Sequence, residues 1–221
     1  MQEAERYRKE LTDKVLQSLF PARRSVSLPN HYFAVRNPFN VSATQYRFNL
    51  TRGALYMVGT WAHRRNYDIC KFKRTPSPSV HCILPVTGSF ATYSCKLSYG
   101  KPVVQTFNIT AAVTPYPQEW NNPADVSGYF TLSSPHGNKM ALEGVHVTEF
   151  MVVTNSTPPF QSFAVFKENE TLTEKIWHNF TEYVFRKCKQ DMRNGMKWLY
   201  HKRFQAAARA VGAISVRVLW S

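Results

Sequence analysis

Residues 103–112 read Val103-Val104-Gln105-Thr106-Phe107-Asn108-Ile109-Thr110-Ala111-Ala112. β-Branched and aromatic side chains dominate this stretch and no Gly or Pro interrupts it, so it reads as a β-strand. It also holds an N-glycan acceptor triplet, Asn108-Ile109-Thr110. A glycan on Asn108 must point to solvent, and alternate side chains of a strand share one face. Val104, Thr106 and Thr110 therefore face out with Asn108, while Val103, Gln105, Phe107 and Ile109 face in. The stretch thus predicts a β domain with a covered interior, in an extracellular setting.

Working outward, further short runs of β character follow the same pattern. They are 46–50, 55–61, 81–84, 90–97, 128–133, 144–153 and 160–166. Turn-like segments separate them, among them Thr75-Pro76-Ser77-Pro78, Val86-Thr87-Gly88-Ser89, Tyr99-Gly100-Lys101-Pro102 and Ser134-Pro135-His136-Gly137-Asn138. Seven or eight antiparallel strands at this spacing predict a barrel or a sandwich. Along 144–153, Val145, Val147, Met151 and Val153 share a face with Glu149. If that face is interior, Glu149 is a carboxylate among apolar groups and needs a cation beside it, from a ligand or from a neighbouring Arg or Lys.

The acceptor triplet occurs six times, at Asn40, Asn49, Asn108, Asn155, Asn169 and Asn179. With 13 Asn, 16 Ser and 17 Thr in 221 residues, chance gives roughly two such triplets, so the excess favours a secreted surface. The four cysteines, Cys70, Cys82, Cys95 and Cys188, fit two disulfides with three possible connectivities. A two-residue turn at Gly88-Ser89 sets Cys82 opposite Cys95 and allows a cross-strand bond there, although Pro85 works against a regular ladder. Their spacing does not suit a zinc site.

The formal charge of +14 favours acidic partners. No apolar run is long enough to span a membrane, and Met1 to Phe20 is charged throughout, unlike a signal peptide. The P-loop, the G-x-S-x-G nucleophile elbow and the H-E-x-x-H zinc motif are all missing, so no catalytic residue, metal or cofactor is expected. At the ends, residues 2–19 carry Leu11, Val15, Leu16 and Leu19 at helical spacing. A second helix is predicted from Thr171 to Lys187, with Leu172, Ile176, Phe180, Tyr183 and Val184 on one stripe and Thr171 or Thr173 as its cap. Beyond Cys188 the sequence turns basic. The expected organisation is a helix and linker over 1–39, a β domain with its helix over 40–188, and a basic tail over 189–221.

Gly59-Thr60-Trp61 in an early strand, many short strands after it, and a closing helix that ends on a cysteine together resemble the lipocalin superfamily. The stretch from Leu55-Tyr56-Met57-Val58 to Tyr67-Asp68-Ile69-Cys70 is most similar to the tick salivary lipocalins of the histamine-binding type. The resemblance implies an antiparallel barrel with the C-terminal helix packed on its wall, a Cys70–Cys188 disulfide, and Trp61 as a structural anchor. It also implies binding rather than catalysis, with a biogenic amine, an eicosanoid or a fatty acid held in the barrel.

The inward-facing candidates for such a cavity are Trp61, Val103, Phe107, Phe130, Val147, Glu149, Met151 and Phe163. The expected function is that of a secreted, monomeric carrier glycoprotein. The alternative is a cationic module that binds glycosaminoglycan, anionic membrane or a protein through Arg and Lys of 186–209, with no specific nucleic acid.

Overall fold

The computed structural model describes residue 13 and residues 25–39, 45–57, 70–73, 79–100, 103–115, 124–133, 139–163 and 169–211. They form ten strands, a single 3-10 turn at Phe160–Ser162 and one long helix. The strands are β1 (Ser25–Ser27), β2 (His31–Val35), β3 (Tyr46–Tyr56), β4 (Cys70–Lys73) and β5 (Ser79–Pro85). They continue with β6 (Phe90–Tyr99), β7 (Val103–Thr114), β8 (Asp125–Ser133), β9 (Lys139–Val147) and β10 (Met151–Thr157). The helix, α1, runs from Glu170 to Val211. The helix expected over 2–19 and the strand residues 58–61 lie outside the described residues, Asp13 apart.

Among the described residues the strands form two antiparallel sheets rather than one closed barrel. The first has the order β1-β3-β6-β7-β10, with β2 also paired to β3; the second is β4-β5-β8-β9. The turn at 86–89 is the reason. Instead of folding β5 back on β6, it carries the chain from one sheet to the other. Val86 N–H donates to the Ala124 carbonyl, and Gly88 N–H to that of Val113. Gly88 takes φ +84°, a left-handed conformation that glycine adopts without penalty. Cys82 is consequently a partner of Cys70, not of Cys95.

The disulfide therefore joins Cys70 to Cys82. Cys95 and Cys188 are buried free thiols, so neither a Cys70–Cys188 nor a Cys82–Cys95 bond is present. A thiol reagent is expected to label no cysteine in the folded protein, and two once it is unfolded without reductant. Labelling of none after unfolding would show the other pairing.

Strand alternation follows the reading of Asn108. Phe107 and Ile109 are buried, while Thr106, Asn108 and Thr110 are exposed. On β3 the parity changes once. Tyr46, Phe48 and Leu50 face in, then a bulge between Thr51 and Ala54, with Arg52 at φ +55°, shifts the inward set to Gly53, Leu55 and Met57. Residues 144–153 are not one strand either. The chain leaves the second sheet after Val147 and enters the first at Met151, turning where Thr148 and Asp125 exchange hydrogen bonds. Past that corner Phe150 and Val152 face in and Val153 faces out.

The helix decides the core. Ile176, Phe180, Val184, Cys188, Met192, Met196, Tyr200, Phe204 and Ala208 are all buried, at a strict interval of four. Four residues advance an α-helix by roughly 400°, so the buried row drifts by about 40° per step and winds about 320° over its length. Such a helix presents different sides to different partners. Phe180 packs on Phe33, Phe48 and Phe107 of the first sheet. Phe204 packs on Phe130 of the second, in space left by Gly128, where a Cβ would come within 2.8 Å of the ring.

The expected boundary at 39/40 consequently divides the first sheet, and the one at 188/189 falls inside α1. β1 and β2 lie before residue 40 yet complete the first sheet, and α1 runs through Cys188 to Val211. The helix is capped by Asn169 rather than Thr171 or Thr173: its Oδ1 accepts from the Leu172 N–H at 2.9 Å.

Candidate functional site: a groove beside the helix

The residues expected to line one cavity do not come together as one. Phe107 and Phe163 meet, with ring centroids 5.1 Å apart, inside an aromatic cluster that also holds Phe160 and Phe180. Phe130 lies on the second sheet against Phe204. Val147 is buried and Met151 half-buried. Trp61 and the side chain of Val103 lie outside the described residues. Side chains of the helix occupy the space between these groups, as core packing requires.

Glu149 is an exposed carboxylate at the corner between β9 and β10, not an interior one. Lys189 at 2.9 Å and Arg193 at 2.5 Å pair with it from α1. The Lys189 hydrogen bond, with Arg193 beside it, holds its carboxyl below the usual range.

A groove of about 540 Å³ opens between β1 and α1. Val26, Leu28, Pro29 and Trp198 give it apolar walls, and Ser25, Ser27 and Asn194 add polar edges. Gly195 lets the helix come this close. A Cβ there would stand 3.1 Å from Leu55 and 3.4 Å from Leu28. Glycine within a helix costs about 1 kcal/mol relative to alanine, and here close packing offsets that cost.

Asp191 lines the same groove and is the only acidic residue between Arg186 and Arg209. Its Oδ2 accepts from His31 Nε2 at 2.5 Å and from the Tyr93 hydroxyl at 3.2 Å. Both ring and carboxylate are largely buried, with 14% and 11% of the side chain exposed. The Cys188 thiol, one helical turn earlier, touches the Tyr93 hydroxyl. Burial pushes Cys188 up to about 12, and burial likewise raises Tyr93 far above its ordinary value. The thiol stays protonated and is a poor nucleophile despite its histidine and carboxylate neighbours. What remains is a carboxylate fixed in place from one side, with Oδ1 left as an acceptor.

This constellation had little signal in the sequence. His31 falls in a stretch expected to be a linker, and Asp191 in a stretch expected to be a tail. Only the interval-of-four row, which continues past Cys188, marks Asp191 as part of a packed helix.

Two surface features complete the picture. Of the acceptor asparagines, Asn40 lies outside the described residues, and the other five are exposed. Asn49, Asn108 and Asn155 all project from the outer face of the first sheet, through β3, β7 and β10. On Asn169 a glycan would bond to Nδ2 and leave the capping Oδ1 free. The second feature is the outer side of α1, where Arg186, Lys187, Lys197, Lys202 and Arg209 are exposed. Lys202 places its ammonium 4.0 Å from the ring centre of Trp198, itself 53% exposed.

Among the described residues there is no cluster of three or more potential metal ligands, and no helix long and apolar enough to cross a membrane. No protein-family model matches the chain, and no curated protein matches it at a significant level.

Proposed function

We propose that this chain is a secreted, N-glycosylated binding protein that takes one small amphipathic amine into the groove between β1 and α1. The observation that carries the reading is Asp191. Its Oδ2 is satisfied by His31 and Tyr93, and the carboxylate borders a groove with otherwise apolar walls. An ammonium head is the natural partner for Oδ1, with the ligand's apolar body lying along Leu28, Pro29 and Trp198. The volume of about 540 Å³ is in the range of small-molecule sites. The same carboxylate disfavours a fatty acid or an eicosanoid, whose own carboxylate would meet it. The binding class implied by the lipocalin resemblance is thus kept, and its place is moved from a barrel interior to the helix flank. Export accords with the Cys70–Cys82 disulfide and the exposed acceptor asparagines.

Calorimetric titration with tryptamine and with its neutral counterpart, tryptophol, tests this. Tryptamine is expected to bind one to one and tryptophol to bind far more weakly. Asp191→Asn is expected to lose about 10- to 100-fold in tryptamine affinity, the scale of one charged hydrogen bond. Equal affinity for the two ligands, or an unchanged Asp191→Asn, contradicts the reading.

A further inference from the structure

The exposed cations of α1 lie on one side. With roughly 100° per residue, Arg186, Lys187, Lys197, Lys202 and Arg209 fall within about 160° of the helix circumference. Between them stand uncharged polar groups, Gln190, Asn194 and Gln205, all exposed. Asp191 does not offset them outward, because His31 and Tyr93 hold it. Lys189 and Arg193 turn to the flank and pair with Glu149. From Arg186 to Arg209 the face is about 35 Å long at 1.5 Å per residue. No acceptor triplet lies on it, whereas three lie on the outer face of the first sheet.

We propose that this face of α1 binds a sulfated polysaccharide chain. A linear polyanion matches a linear row of cations in which Arg186 alone pairs with an exposed carboxylate, that of Glu182 one turn earlier at 3.4 Å, and counterion release would drive the association. The exposed ring of Trp198 beside the Lys202 ammonium suits stacking of a sugar ring whose sulfate meets the cation. Trp198 is the only large apolar side chain exposed among residues 186–209 of the helix. A face with one such group lacks the apolar stripe that lays a helix into a bilayer. This choice rests on the export proposed above, with which the exposed acceptor asparagines and the disulfide accord, and it disfavours nucleic acid. The face shares Trp198 and Asn194 with the rim of the groove, but none of its cations lines the groove, so its charge-driven binding does not need an amine there.

The test compares two triple variants of equal charge on the full chain. Lys197→Gln/Lys202→Gln/Arg209→Gln removes cations from the helix face; Arg47→Gln/Lys71→Gln/Lys96→Gln removes exposed cations from the sheets. Each is measured for binding to heparin, to desulfated heparin, to a DNA oligonucleotide and to phosphatidylserine vesicles at physiological salt. The unfolding midpoint serves as the check on folding. The helix variant is expected to lose at least about tenfold in heparin affinity, and the sheet variant less than about twofold. Wild type is expected to bind desulfated heparin, DNA and vesicles more weakly than heparin. Asp191→Asn is expected to keep its heparin affinity, which separates this site from the groove. Equal losses in the two triple variants, tighter binding to DNA or vesicles than to heparin, or no heparin binding at all, would each overturn the proposal.

Discussion

A chain ended after Cys188 is expected not to fold cooperatively. Such a chain keeps segment 1–39 and the β domain with its helix, 40–188, and drops only the stretch that the sequence alone delimits as a basic tail. Yet the deletion removes Met192, Met196, Leu199, Tyr200 and Phe204, all buried. At about 1.5–3 kcal/mol for each large buried side chain, the loss is roughly 7–15 kcal/mol. Domain stabilities are themselves only about 5–15 kcal/mol. The second sheet suffers most, because Phe130 and the space above Gly128 lose Phe204. Thermal unfolding followed by near-ultraviolet circular dichroism is expected to show a sharp transition for residues 1–211 and none for residues 1–188. A sharp transition in both, at similar temperature, would make 189–211 an appendage.

Phe180→Ala is expected to cost about 3–5 kcal/mol, the range for a buried phenylalanine replaced by alanine. The ring touches Phe33, Phe48, Phe107, Phe160 and Trp177, with centroids 4.7–5.9 Å away. These rings come from β2, β3, β7, the 3-10 turn and the helix itself, so no single neighbour can move in to fill the cavity. Phe39→Ala supplies the comparison, since Phe39 is 56% exposed and its loss should stay within about 0.5 kcal/mol. Urea unfolding at equilibrium measures both. Similar midpoints for the two variants would mean that the aromatic cluster does not hold the helix to the first sheet.

How legible this was in the sequence depended on the range of the interaction. The strand around Asn108 could be read face by face, because a glycan acceptor and a period of two are both local. Sheet partnership was not legible. The segment Val86-Thr87-Gly88-Ser89 has good hairpin chemistry, and only hydrogen bonds to Ala124 and Val113, far along the chain, show that it changes sheets. The disulfide depends on the same turn: a hairpin there would set Cys82 against β6, whereas its partner Cys70 lies on β4, the strand preceding its own.

The helix was cut short for a different reason. A stripe at the ideal helical period runs out near Cys188, whereas the true row repeats at four and drifts around the cylinder. Its later members, Met192, Met196, Tyr200 and Phe204, then look scattered among basic residues. Asp191 and His31, the polar centre of the groove, were invisible for the same reason: both lay in segments whose pairing to the core is long-range. Glu149 stands out in the sequence, but an interior placement requires an unbroken strand across 144–153. The corner at Thr148 brings it to the surface, where Lys189 and Arg193 meet it.

The fold, the groove and the cationic face all require α1 to be one continuous core element shared by both sheets. Amide hydrogen exchange resolved along residues 189–208 measures this directly. If the helix is that element, the amides of Met192, Met196, Tyr200 and Phe204 exchange only through global unfolding, as slowly as those of Phe107 and Ile109 in β7. Exchange of these four within seconds, while β7 stays protected, would show a solvated tail and contradict the fold, the groove and the cationic face together.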